Sequence, residues 1–517
     1  MLFNSLEFLL LFLPLTLAGY YLMIRAGLRE YIFVYLVIAS LVFYSVWNPP
    51  YTLLLIASMG FNYAVGVGIE KRRGTRAATA LLVLATAVHL AVLGWYKYAN
   101  FFVDNVNAVA GTDWSLYRII LPLAISFYTF QQIAYLVDIS RNEVRSGGLA
   151  RYATFVIFFP QLVAGPIVHY KEMMPQFFGR QLGRFIGSNM AVGLTIFAIG
   201  LFKKTVIADS AALYASPIFD AAQNGREIGL LDGWTAAITY TIQLYFDFSG
   251  YSDMAIGLAR MFGIKLPPNF HSPLRAASIT EYWRRWHITL QQFIVSYMYQ
   301  PLVLPVTRLA MRWQLGKQAS FFVTVMAPTI LVFVVIGLWH GAAWTYVLFG
   351  TMHGLYLATN EFWRQRYRKR RKKQGGPGPG MIAAYHALTL LCVMFANVVF
   401  RASSVGVAME VWRGMFRFDR LGELATAIPA NATELISEPL IFTLIAVFII
   451  AFMPNTQQFM SRYSPVIHWS VWRKVAPPAI SLTWRPTLAW GLVMALVTFL
   501  AFAFVTRGQS EFIYFNF

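Results

Sequence analysis

Apolar runs of about twenty residues, parted by short charged loops, recur along this chain and constrain its fold more than any other feature. A run of that length is what an α-helix needs to cross about 30 Å of hydrocarbon, where every backbone polar group has to be satisfied within the segment. No ten-residue alternation of the kind that builds a membrane barrel is present. Composition agrees: 58% of the 517 residues are hydrophobic and only 12% are charged, far from the balance of a soluble domain. The expected fold is all-α and polytopic, a single membrane-embedded domain over 1–517.

The formal charge of +20 does not point to nucleic acid, because the Lys and Arg residues sit in loops between apolar runs and no basic face or nucleic-acid module is present. The single cysteine, Cys392, excludes an intrachain disulfide and a thiolate metal cluster. Neither an H-E-x-x-H pattern nor a carboxylate cluster offers a metal site. The first run, 6–18, has no basic region before it and no small-residue cleavage site after it, so it reads as a retained helix.

Crossings are expected near 6–24, 31–47, 51–69, 77–95, 119–137, 186–202, 232–250, 320–339, 342–362, 382–400, 439–453 and 487–505, about twelve in all. Two further apolar stretches, 152–168 and 293–306, have basic residues on both sides and read as re-entrant or buried segments, which membrane proteins tolerate inside protein or beside a wet cavity. With that choice most of the 42 Lys and Arg residues fall on one side, the cytoplasm, and both termini fall outside. Lys203-Lys204 fits worst, at the outer end of a helix, where snorkelling or a shifted boundary accommodates it. Residues 364–380 form a basic and then Gly/Pro-rich cytoplasmic loop, read either as an anchor against anionic membrane lipid or as an attractor for an anionic acyl donor. Residues 405–437 read as an amphipathic outer-face segment on which a partner could dock.

Trp339-His340-Gly341 places a histidine where one apolar run gives way to the next. A titratable ring at or near membrane depth is costly unless it is hydrogen-bonded or lines a wet cavity, and it can supply a general base near neutral pH. On pattern alone, such a histidine is as often a packing residue or a proton relay. The second constellation is Glu281-Tyr282-Trp283-Arg284-Arg285-Trp286-His287. At helical spacing Arg284 and His287 share one face, with Trp283 and Trp286 on a neighbouring one. That arrangement suits either a phosphate-bearing ligand beside an aromatic wall or an interfacial Trp/Arg anchor. His353, His169 and His271 rank below these two, and Asp247 and Asp253, flanking Ser249-Gly250-Tyr251, read first as hydrogen-bonding braces.

Tyr282-Trp283-Arg284-Arg285-Trp286-His287-Ile288-Thr289-Leu290 together with Gly337-Leu338-Trp339-His340-Gly341 resembles the two signature regions of the membrane-bound O-acyltransferase superfamily. The stretches Pro122-Leu123-Ala124-Ile125-Ser126, Phe158-Phe159-Pro160-Gln161, Asp247-Phe248-Ser249-Gly250-Tyr251-Ser252-Asp253 and the tail Phe512-Ile513-Tyr514-Phe515-Asn516-Phe517 resemble the branch of alginate O-acetylase membrane subunits. Ala124 stands where that branch leads us to expect glycine, and Thr289 where serine is commoner.

The resemblance implies that His340 matches the family's essential histidine and His287 its second signature residue. Arg284, Arg285, Trp283, Trp286, Trp339 and Asp247 are the associated candidates for substrate or donor binding. It further implies a ring of helices around a thin centre in a bacterial inner membrane, with both termini periplasmic, in which acetyl groups pass from a cytoplasmic thioester, acetyl-CoA, to an exopolysaccharide such as alginate or, alternatively, to peptidoglycan or cellulose, directly or through a periplasmic acetyltransferase partner. No permanently bound cofactor is expected. The competing readings are a transporter in which His340 relays protons, told apart by flux that survives loss of His340, and a scaffold for a periplasmic transferase, told apart by acetylation that survives it.

Overall fold

The computed structural model describes residues 1–116, 119–178, 185–374, 377–420, 438–506 and 512–513, with only the backbone at 368–374 and 420. Helices occupy every position where a crossing is expected, and among the described residues no strand forms. Among the described residues seven are long and apolar enough to span a membrane: Phe8–Arg25, Pro49–Lys71, Arg76–Ala110, Gly187–Gln223, Lys317–His340, Pro379–Arg401 and Leu488–Val505. Of the remaining five, Ile32–Ser45, Ile125–Ser140 and Glu438–Phe452 are short, whereas Leu230–Met261 and Trp344–Gln374 are long but carry charges. Fourteen residues of helix reach about 21 Å, less than an ordinary hydrocarbon core.

Leu230–Met261 is the axis of the fold, and from Thr239 to Met261 nearly every residue is buried. It lies against Gly187–Phe202 at two glycine pairs: a Cβ on Gly250 would stand 2.7 Å from the Gly200 carbonyl oxygen, and one on Gly257 2.6 Å from that of Gly193. Small residues at such crossings let helix backbones touch, which drives association where lipid supplies no hydrophobic force. On another side Asn397 donates to the Thr241 hydroxyl at 3.1 Å, tying Pro379–Arg401 to the axis.

Lys203 and Lys204 are matched by acidic residues in this core. Lys204 lies 2.8 Å from Asp247 and 2.8 Å from Asp209, and Lys203 lies 2.6 Å from Asp253, which also accepts from Thr456 and Gln457. The helix expected to end at 202 runs on to Gln223, so the boundary is shifted as one reading had it, and the pair Lys203-Lys204 lies inside the helix, paired with acidic residues rather than snorkelling. It sits in a π-helical stretch, Lys203–Ala208, that faces the acidic residues of the axial helix.

Of the remaining expectations one holds and two do not. The stretch 152–168 is buried, as two short helices broken at Phe158. The stretch 293–306 is not re-entrant: it belongs to one helical run, Ile288–Ile294, Val295–Tyr299 and Gln300–Arg312, which beyond Ile294 is exposed along one side, with Leu304 and Met311 outermost. Proline does not end it: Pro301 stands at the second position of Gln300–Arg312, directly after the π-helical turn, and Pro305 lies inside that helix. The basic residues 364–373 are not in a loop but continue the helix Trp344–Gln374, and Pro379 opens the next one. Within the expected outer segment, Val405–Gly414 is an amphipathic helix; 421–437, like 375–376 and 514–517, lies outside the described residues.

Candidate active site

His287 sits on irregular backbone that the sequence builds deliberately. The helix Ile279–Arg285 ends with Trp286 extended, and His287 turns the chain in the left-handed region, φ 44°, before Ile288–Ile294 begins. Non-helical backbone at this depth needs partners inside the protein. Asn269 supplies them: its carbonyl accepts from Ile288 N at 2.9 Å, its Oδ1 accepts from the Thr289 hydroxyl at 2.6 Å, and its Nδ2 donates to Ser252 Oγ. Thr289 Oγ1 in turn accepts from Ile167 N at 3.0 Å, so the buried 152–168 stretch is pinned to the same turn. Any hydroxyl at 289 would serve, which is why threonine is compatible with the expected serine.

The turn also corrects the expected surface. Arg284 and His287 do not share a helical face, since the helix has ended before His287. Arg284 is exposed, while Arg285 is buried and paired with Glu281. The two tryptophans diverge. Trp283 donates its indole N–H to His353 Nδ1 at 3.1 Å, whereas Trp286 stacks on Tyr282 and meets Phe270 edge-on. Asp247 lies 1% exposed in its ion pair with Lys204 and accepts from Ile513 N at 3.0 Å, away from these aromatics.

His340 is the last residue of the helix Ala327–His340, and the chain leaves it extended at Gly341. Glycine is required there by space, because a Cβ would stand 2.1 Å from the Tyr346 ring. The imidazole is 3% exposed and is boxed edge-on by Phe400 and Phe349, ring centroids 5.2 and 5.9 Å away, and by Trp339 at 4.8 Å. Trp339 is the link between the two signature histidines: its ring lies 6.2 Å from that of His287, which Phe248 packs from the other side at 4.8 Å. Phe127 and Phe130 hold the indole, whose N–H is buried with no hydrogen-bond partner among the described residues.

The structure thus brings His340, Trp339 and His287 together and adds His353 through Phe349, 4.6 Å from its ring. Because His353 Nδ1 accepts from Trp283, its other nitrogen carries the proton of the neutral ring. Lys97 belongs to the site too, and sequence reasoning missed it. It is 9% exposed, bonds the Trp339 carbonyl oxygen, lies 3.4 Å from Ser126 Oγ, and stands 5.8 Å from the centre of the Trp339 ring. Its helix was expected to end near residue 95 but runs Arg76–Ala110, which carries Lys97 inside. The signal available was the lysine itself, set between Tyr96 and Tyr98 beyond an apolar run.

A buried imidazole beside an aromatic wall, a second imidazole and an unused indole donor can take a proton from a hydroxyl and receive a developing oxyanion. Comparisons with known proteins give the family. Residues 140–400, which hold every histidine just described, match the membrane-bound O-acyltransferase (MBOAT) family. The chain is 38% identical over 442 residues to the peptidoglycan O-acetyltransferase of Helicobacter pylori, covering 80% of each chain. It is 39% identical over 436 residues to the probable alginate O-acetylase AlgI of Pseudomonas aeruginosa, covering 83% of this chain and 77% of that one, and 35% identical to its Pseudomonas putida counterpart over the full length of both. This chain is therefore a member of the membrane-bound O-acyltransferase family, a multi-pass membrane O-acyltransferase.

Proposed function

We propose that the enzyme moves acetyl groups from acetyl-CoA on the cytoplasmic side of a bacterial inner membrane to the hydroxyls of an exopolysaccharide such as alginate, with His340 as general base. The observation that carries the reading is the junction His340–Trp339–His287, buried where two broken helical segments meet. In the transfer, the imidazole of His340 takes the proton of the acceptor hydroxyl, and the freed oxygen forms the ester bond at the thioester carbonyl. The C–S bond breaks, and the thiolate leaves with the proton from the imidazolium. The Trp339 N–H is the donor at hand for the carbonyl oxygen as it gains charge. His287 lies across the indole, 6.2 Å from its ring, and is the second imidazole within reach of the junction.

A periplasmic acetyltransferase partner receives the acetyl group where the chain does not meet the glycan directly. The relatives support the class of acceptor: two are probable alginate O-acetylases by name, and the third favours peptidoglycan as the alternative. Arg284 and the basic end of Trp344–Gln374 lie on the cytoplasmic side in this reading, with both termini in the periplasm.

Purified protein in lipid nanodiscs, supplied with acetyl-CoA, is expected to release CoA and acetylate the glycan. His340→Ala is expected to lower that rate about 10²–10⁴-fold while the protein stays monodisperse. A monodisperse His340→Ala protein with more than a tenth of the wild-type rate excludes the single-base mechanism. Acetate analysis of capsular polysaccharide and of muramyl glycan from a deletion strain tells the two acceptors apart. Orientation is read in a Cys392→Ala background: a membrane-impermeant thiol reagent applied to spheroplasts should label a cysteine at Ser403 and spare one at Gly378.

A further inference from the structure

The break after His340 leaves the end of a helix with carbonyl groups that have no partner in their own chain segment. Gly341 N still reaches the Gly337 oxygen, but the carbonyls of Leu338 and Trp339 have lost their donors, because the chain turns extended. At a water-exposed helix end solvent would fill that role. Here the end is buried, and two consecutive residues of a different helix take it over: Tyr98 donates its hydroxyl to the Leu338 oxygen at 2.9 Å, and Lys97 donates its ammonium to the Trp339 oxygen. The same helix, Arg76–Ala110, also grips the far side of the break. Asn105 Oδ1 accepts from Trp344 Nε1 at 2.9 Å, and Phe101 packs on the Trp344 ring at 5.8 Å. Lys97, Tyr98, Phe101 and Asn105 recur at helical spacing, so one face of one helix bridges the gap between Ala327–His340 and Trp344–Gln374.

We propose that Lys97, assisted by Tyr98, is a positioning residue of acyl transfer: it clamps the broken helix end and so fixes Trp339 and His340 for the reaction. A lysine suits the place for two reasons. A cation complements the negative end of the helix dipole, where a neutral donor contributes less. It also lies over the face of Trp339, so that the indole is held both at its backbone carbonyl and at its ring. Rotation of the last turn moves the imidazole and the indole N–H together, and a displacement near 1 Å is enough to lower a rate about a hundredfold.

The proposal rests on His340 being the base, and the experiment separates the two. Lys97→Met, of similar length but without a donor, is expected to lower kcat about 10–100-fold with KM for acetyl-CoA within twofold, as for a group that acts only in the transition state. Tyr98→Phe, which removes one hydroxyl, is expected to lower kcat about three- to tenfold in the same way, and decides the matter if Lys97→Met is not monodisperse. In a His340→Ala background, Lys97→Met should leave the residual rate unchanged, because there is no longer a base to position. A kcat within twofold of wild type in both single variants overturns the proposal. So does a rise in KM at constant kcat, which would make Lys97 a donor-binding group. An equal further loss in the His340→Ala background also overturns it, since Lys97 then acts independently of His340. Activity that persists in His340→Ala refutes the base instead, and a kcat loss in Lys97→Met beside it overturns the route through His340.

Discussion

Replacing Gly337 by alanine tests whether activity depends on where the His340 helix sits rather than on whether it forms. Gly337 lies one turn before His340, where Ala327–His340 crosses Trp344–Gln374. A methyl there would stand 2.1 Å from the Tyr346 carbonyl oxygen and 3.1 Å from Gly350 Cα. Both obstacles are backbone, so no side chain can swing aside. Ordinary contact begins near 3.4 Å, and the two helices have to part by about 1.3 Å. Alanine is the better helix former by about 1 kcal/mol, so the helix itself persists. A shift of this size at His340, the proposed base, is expected to lower kcat about a hundredfold, with KM for the thioester little changed. Turnover is followed as CoA release in nanodiscs, with monodispersity and thermal stability measured on the same samples. Gly60→Ala is the control, because a methyl there meets nothing within 4 Å. If Gly337→Ala keeps more than half of the wild-type kcat, the placement of His340 by this crossing is not what limits the reaction.

Lys204→Met should destabilise the protein by about 3–5 kcal/mol, seen as a lower unfolding temperature in detergent, because Asp247 is left buried without its cation. Adding Asp247→Asn should recover part of that loss, and no recovery would mean the pair does not act as a unit. Arg284→Ala is expected to raise KM for acetyl-CoA about tenfold at constant kcat, and the buried Arg285→Ala to lower stability instead; equal KM values in all three proteins would assign Arg284 to the membrane surface. Ala124→Gly should raise stability by about 1 kcal/mol, since Ala124 holds φ 60° at the start of Ile125–Ser140, where the related branch suggests glycine; an unchanged unfolding temperature refutes strain at this turn.

The helices were legible because hydrocarbon leaves the backbone few options, and apolar length alone locates them. Breaks and continuations were not. Residues 364–373 look like a loop because eight of the ten are basic, yet they have no glycine or proline to stop the helix before Gly375. The helical face shared by Arg284 and His287 was a product of assuming a straight helix through Trp286, and nothing local in Arg285-Trp286-His287 announces the left-handed turn. Its causes are Asn269 and Ile167, both distant in sequence. Lys203-Lys204 was puzzling for the same reason: the acidic partners Asp247 and Asp253 lie on another helix, and pairing between helices leaves no trace in a one-dimensional charge count.

Both signature histidines sit at breaks, and that has a physical logic. Inside a regular helix, backbone groups are satisfied and a ring points sideways at neighbouring helices; at a broken end, chain can turn away and leave the ring facing the junction. The same break strands polar backbone groups in a place without water, where each costs several kcal/mol unless a partner is provided. Asn269 and Thr289 provide them at His287, and Lys97 and Tyr98 provide them at His340. Reactive geometry and backbone satisfaction are thus secured by the same bonds. Substitutions among these supporting residues should therefore register in kcat as well as in stability, whereas substitutions in the exposed face of Gln300–Arg312, which touches neither break, should register in neither.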